Sequence, residues 1–235
     1  MKSFLLLGLC VALSLIACSG REDGQTPRKP GYNHMGLPYA DKPPQVKINP
    51  KRKQHYQMEV KIKDAPLVFQ KVSGSEQYQA TNCSYTTSRI AGSTINPHYS
   101  ERLKYTKVDN TTYITDFYTD TPLDEDYYEQ GICKWQFLGV GTAMRATGKD
   151  KRETILSADV WPKDLEKLTN EEHGIKIIKK YLKVNYPIMN SIPFGASGTG
   201  FSDIGYKENE VTGSGLDPAL RDVFFVEVTI RRVDK

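Results

Sequence analysis

Histidine and cysteine are scarce, with four of each in 235 residues, which limits any metal site severely. His34, His55, His98 and His173 form neither a His-Glu-x-x-His motif nor another paired spacing, so a zinc hydrolase lacks its ligands. An excess of one charge is missing too. The 32 basic and 28 acidic residues leave a formal +4 spread along the chain, and no nucleic-acid partner is implied. With a mean hydropathy of −0.53, the chain is no multi-span membrane protein. Disorder is excluded by 24 aromatic residues, 14 of them tyrosine, a content that supports a packed core. What remains is one sizeable domain, or at most two small ones.

The longest apolar run, residues 4–17, follows Lys2 and has about 14 residues. A helix spanning the hydrocarbon core needs roughly 20, so the run reads as a secretory leader rather than a membrane span. It ends Leu15-Ile16-Ala17-Cys18, and here the chain resembles bacterial lipoprotein precursors. The resemblance implies cleavage after Ala17 and acylation of Cys18 with three chains, one more than stable anchoring requires. It also implies sorting to the outer membrane, because Ser19 rather than Asp follows the cysteine. Cys10 leaves with the leader.

The expected organisation is a leader at 1–17, a lipidated cysteine and Pro/Gly-rich tether at 18–52, and a β-sandwich-like domain at 53–235. The tether holds Pro27, Pro30, Pro38, Pro43, Pro44 and Pro50 and no apolar periodicity. As a coil it reaches roughly 30 Å. Its basic end, Lys47, Lys51, Arg52 and Lys53, reads either as a solvated linker or as a contact with anionic headgroups. From Tyr56 onward, apolar and polar residues alternate, Tyr56, Met58, Val60 and Ile62 against Gln57, Glu59, Lys61 and Lys63, which is a half-buried strand.

Further strands are expected at 67–72 and 77–81, parted by Ser73-Gly74-Ser75, and at 102–108 and 111–119, joined as a hairpin by Asp109-Asn110. More are expected at 132–146, with a bulge at Gly139 or Gly141, at 152–158, and around the alternating Phe224, Val226, Val228 and Ile230. Thr169 and Glu172 form a capping box before Ile175, Ile178 and Leu182, predicting a helix closed by Pro187. A short helical turn is expected at 162–168, led by Pro162. The fold class is therefore mainly β, an antiparallel sandwich of about seven to nine strands with one helix in the C-terminal half.

Cys83 and Cys133 remain after processing. An even pair in an oxidising compartment predicts a disulfide, packed beside Trp135 and Phe137. No immunoglobulin pattern results, because the tryptophan follows both cysteines. Before Cys133 lies an acidic stretch. Six acids and no base occur from Asp116 to Glu129, among them Asp120, Asp124, Glu125 and Asp126, followed by Tyr127 and Tyr128. Three readings stand. One is a solvated loop, another a calcium site without EF-hand spacing, and the third a recognition loop in which the tyrosines give contact area and the acids steer a basic partner.

No catalytic constellation is present and no cofactor is implied. Gly195-Ala196-Ser197-Gly198-Thr199-Gly200-Phe201 lacks the last glycine of a nucleophile elbow and the Lys-Ser/Thr of a phosphate loop, so it reads as a surface loop. The lipobox at Cys18, the tethered β-rich domain with one disulfide, and Asp124-Glu125-Asp126-Tyr127-Tyr128 leading to Gly131, Cys133 and Trp135 together resemble the immunity lipoproteins that neutralise envelope-attacking effectors of type VI secretion. That resemblance implies a non-catalytic, outer-membrane-anchored protein facing the periplasm, which occludes a secreted toxin effector. The alternative is a structural or transport lipoprotein that binds an envelope component. An anchored hydrolase comes last.

Overall fold

The computed structural model describes residues 37–38, 45–87, 93–170, 174–188, 201–207 and 222–233. The leader, Cys18, most of the tether, His34, His173 and the glycine-rich run 195–200 with Ser197 lie outside the described residues.

Among the described residues the chain forms thirteen strands. They are β1 (His55–Lys63), β2 (Lys71–Ala80), β3 (Tyr85–Thr86), β4 (Thr94–Ile95), β5 (His98–Arg102), β6 (Thr106–Lys107) and β7 (Thr112–Tyr118). β8 (Trp135–Arg145), β9 (Ile155–Val160), β10 (Ile175–Leu182), β11 (Ser202–Asp203), β12 (Tyr206–Lys207) and β13 (Val223–Arg232) follow. One sheet has six strands in the order β12-β10-β13-β1-β7-β6, another has five in the order β11-β9-β8-β2-β5, and β3 and β4 form a separate ribbon. The two large sheets pack together as a β-sandwich, antiparallel except for the parallel pair β9 and β11.

Alternation drives this packing. Met58, Val60, Phe117, Val226 and Ile230 from one sheet meet Val140, Met144, Leu156 and Val160 from the other in a single buried cluster. Each such side chain removed from water contributes about 1.5–3 kcal/mol. β1 sits between β13 and β7, and its buried positions are the four apolar ones that the alternation singles out.

Four local expectations are revised by tertiary pairing. Ser73-Gly74-Ser75 is no turn, because β2 runs straight through it. A Cβ on Gly74 would stand 2.3 Å from the Gly141 carbonyl oxygen and 2.6 Å from the Tyr105 hydroxyl, so the glycine serves close approach. The segment from Arg102 to Val108 is not one strand. It leaves the five-stranded sheet after β5 and enters the six-stranded sheet at β6, whose hairpin with β7 does form. No regular strand covers 67–70.

The helix expected after Thr169 is overturned as well: Thr169 lies in a 3-10 turn, Glu166–Asn170, and Ile175–Leu182 is β10. Pairing with β13 along its whole length puts Ile175, Ile177 and Tyr181 on the core side. Ile175 would be buried on either face, but the extended face continues through Ile177 and Tyr181 rather than Ile178 and Leu182. The helix of the C-terminal half is the four-residue α1 (Pro162–Leu165), where a proline-led turn is expected. The expected bulge is found at Leu138, beside Gly139, where the register shifts from Gln77↔Gly139 to Tyr78↔Phe137.

On the outer face of the six-stranded sheet, Glu227 receives Lys63 Nζ and Lys176 Nζ, each at 2.8 Å. Lys176 and then Lys63 hold its carboxyl below the ordinary value, against the opposing effect of burial. A depressed carboxylate contributes stability that is full above its unfolded value and is lost as pH falls through the folded one. Glu227→Gln therefore costs about 1 kcal/mol at neutral pH, and chemical denaturation across pH shows this difference closing below the ordinary value of 4.5.

Candidate binding site

The sequence singles out the acidic loop, and the structure places Asp120, Asp124, Glu125 and Asp126 in internal bonds. Asp120 accepts the backbone N–H groups of Lys53 and Gln54 at 2.8 and 3.2 Å. Asp124 accepts Lys134 Nζ at 2.9 Å and the Trp135 N–H at 3.0 Å. Glu125 pairs with Lys47 Nζ at 2.7 Å. Asp126 Oδ1 accepts the N–H groups of Tyr128 and Gln130 at 3.2 and 3.1 Å, turning the loop on itself. Tyr127 donates to the Leu123 carbonyl and accepts the Lys47 N–H, while its ring meets Trp135 edge-on.

Tyr128 is buried and stacks on Tyr85 at 5.4 Å. Both belong to a small second core that contains the Cys83–Cys133 disulfide, with Trp135 packed beside it. Phe137 instead joins the main core.

The basic end of the tether lies against this loop. Bonds from Asn49 N to the Thr121 carbonyl and from Leu123 N to the Lys47 carbonyl, each 2.8 Å, bind the two segments together. Arg52 stacks over Tyr118 at 4.2 Å. The opposite charges of residues 47–53 and 116–129 are the signal in the sequence for this contact. Beneath the loop, Glu76 is 3% exposed. It accepts the Tyr118 N–H, the Thr121 hydroxyl and the Tyr78 hydroxyl at 2.9, 2.7 and 2.5 Å, so the buried charge is solvated by the protein's own donors. Among the described residues, no three His, Cys, Asp or Glu side chains converge on a point where a metal ion would be held.

A second surface escapes sequence reasoning. On the outer face of the five-stranded sheet β2 and β8 place small residues side by side at two successive pairs, Ser75 opposite Gly141 and Ser73 opposite Ala143. They floor a trough of about 660 Å³ that continues into a smaller hollow of about 200 Å³ beside Trp161. The register places Arg102, Ser75, Gly141 and Asp159 in one row across four strands. Trp161 is 50% exposed and its indole lies over Gly139, where a Cβ would be 3.5 Å from Cε3. Asp159 Oδ1 lies over Gly141, 3.1 Å from the place of a Cβ.

Partial burial pushes the Asp159 carboxyl above its ordinary value, with Lys179 pulling the other way. Among the described residues, the side chains of Asp159, Gln77 and Arg102 make no hydrogen bond or ion pair. A concave site of this size with a few convergent polar groups is the usual form of a ligand site.

No protein-family model, no curated protein and no solved structure matches the chain. Among the described residues no helix is long and apolar enough to cross a membrane.

The loop's architecture depends on its two buried anchors. Glu76→Gln removes the charge that three donors share and costs about 2–3 kcal/mol. Replacing both disulfide cysteines by serine reopens a 50-residue separation and costs about 4 kcal/mol. Urea midpoints measure both losses.

Proposed function

We propose that the chain is an acylated lipoprotein, held through Cys18 at the periplasmic face of the outer membrane, whose sandwich is a non-catalytic module binding an envelope component. The observation that carries this reading is the trough. Its aromatic platform, Trp161, is half exposed, and among the described residues the side chains of Asp159, Gln77 and Arg102 make no bond with one another, as in a surface that awaits a ligand. Among the described residues its lining holds one carboxylate, Asp159, where glycoside hydrolysis generally uses two.

The narrower reading, occlusion of an envelope-attacking effector, rests on the acidic loop. Lys47 and Lys134 are 65% and 63% exposed in their pairs with Glu125 and Asp124. Exposed pairs contribute only about 0–1 kcal/mol, so a basic partner displaces these lysines at little cost.

Labelling with palmitate marks the wild-type chain, and Cys18→Ser abolishes both the label and membrane fractionation; a wild-type chain without label overturns the anchoring. For the detergent-extracted full chain, sedimentation with insoluble envelope polymer falls about tenfold in Trp161→Ala and is unchanged in Asp124→Asn. The opposite order moves the binding surface to the loop.

A further inference from the structure

We infer that the trough takes an uncharged, hydroxyl-rich glycan chain, stacked on Trp161 and hydrogen-bonded through Asp159, Gln77 and Arg102; this rests on the trough being the binding surface. Trp161 offers the first reason. One part of its indole rests on the backbone at Gly139, while half of its surface stays open. A rigid aromatic face fixed in this way suits the C–H face of a sugar ring, whose hydrogens carry partial positive charge toward the negative face of the ring system.

Hydrogen-bonding capacity is the second. Asp159 only accepts, Arg102 only donates, and the Gln77 amide does both. Hydroxyl groups can answer all three, because each donates once and accepts twice. The row from Arg102 to Asp159 crosses three strand intervals, about 14 Å, long enough for a chain of several sugar rings rather than one small molecule.

Charge and backbone pairing remove the competitors. A polyanion would set its charge against Asp159, and a polycation would meet Arg102 and Lys71 at the other side. Lipid tails would bury the hydroxyls of Ser75 and Ser100, which have no partner among the described residues, at a cost for each. An extended peptide binds by adding to a free strand edge, whereas the trough lies on the face of β2, β8 and β9, whose backbones already pair with neighbours.

The probe is chitotetraose, the uncharged β-1,4 tetramer of N-acetylglucosamine, titrated into the full chain in detergent micelles. Calorimetry and tryptophan emission are both read. Of the two tryptophans, Trp135 packs in the disulfide cluster, so the emission change reports Trp161. Saturable binding is expected, with affinity lowered at least tenfold in Trp161→Ala and in Gly141→Val, and about tenfold in Asp159→Asn. Urea midpoints identify any variant that fails to fold, and Gln77→Ala, at an exposed position, supplies a second weakened variant.

No saturable binding of chitotetraose or cellotetraose by the folded wild-type chain overturns the glycan inference. If a lysine or glutamate oligomer then shifts Trp161 emission, the trough stands as a binding surface for another ligand. Binding of chitotetraose with equal affinity by wild type, Trp161→Ala and Gly141→Val removes the trough itself.

Discussion

The register of β2 against β8 is the constraint on which both candidate surfaces depend. With Ser73 opposite Ala143, Ser75 opposite Gly141 and Gln77 opposite Gly139, each of these cross-strand pairs has at least one small residue, and the sheet face hollows between Arg102 and Trp161. The same register turns Glu76 and Tyr78 inward, beneath the acidic loop. Because side chains alternate with a period of two, a slip of one residue would empty the trough of its glycines and move the buried carboxylate to solvent. The missing side chain at Gly74 and the bulge at Leu138 pin the alignment in place.

The two surfaces use charge in opposite ways. In the loop, carboxylates serve chiefly as acceptors for backbone N–H groups and as partners for Lys47 and Lys134, so a concentration of acid becomes local structure. Asp126 shows this most plainly, closing a turn through two N–H groups on one oxygen. In the trough, charge is sparse: among the described residues the Asp159 carboxylate faces the Arg102 guanidinium and the Lys71 ammonium across a floor of small residues. Anchoring by lipid would give such a shallow surface an advantage, because attachment near an envelope ligand raises its effective concentration.

Much of the fold was legible in the chain. The alternation at β1 and β13, the hairpin into β7, the bulge next to Gly139 and the Cys83–Cys133 pairing each rest on a local signal that survives folding. The segment 175–182 was not legible as a strand, because its apolar spacing satisfies two periods and the choice belongs to β13, more than forty residues away. Ser73-Gly74-Ser75 misled for a related reason: glycine for a turn and glycine for close approach look alike until a neighbouring strand is present. The loop residues Asp120, Asp124, Glu125, Asp126, Tyr127 and Tyr128 were visible as a group, but their internal partners were not.

By itself the sequence determined what depends on neighbours in the chain: the alternation of β1 and β13, the hairpin into β7, and the position of Cys83 and Cys133 in the strand-rich part of the chain. Only the tertiary structure decided what depends on register and crossing. It brought residues 47–54 against the acidic loop and set Asp159 and Trp161 over glycines of β8, two strands from Arg102. Hydrogen bonding between distant strands selects one alignment out of several locally acceptable ones, and that selection is a property of the whole sheet rather than of any segment in it.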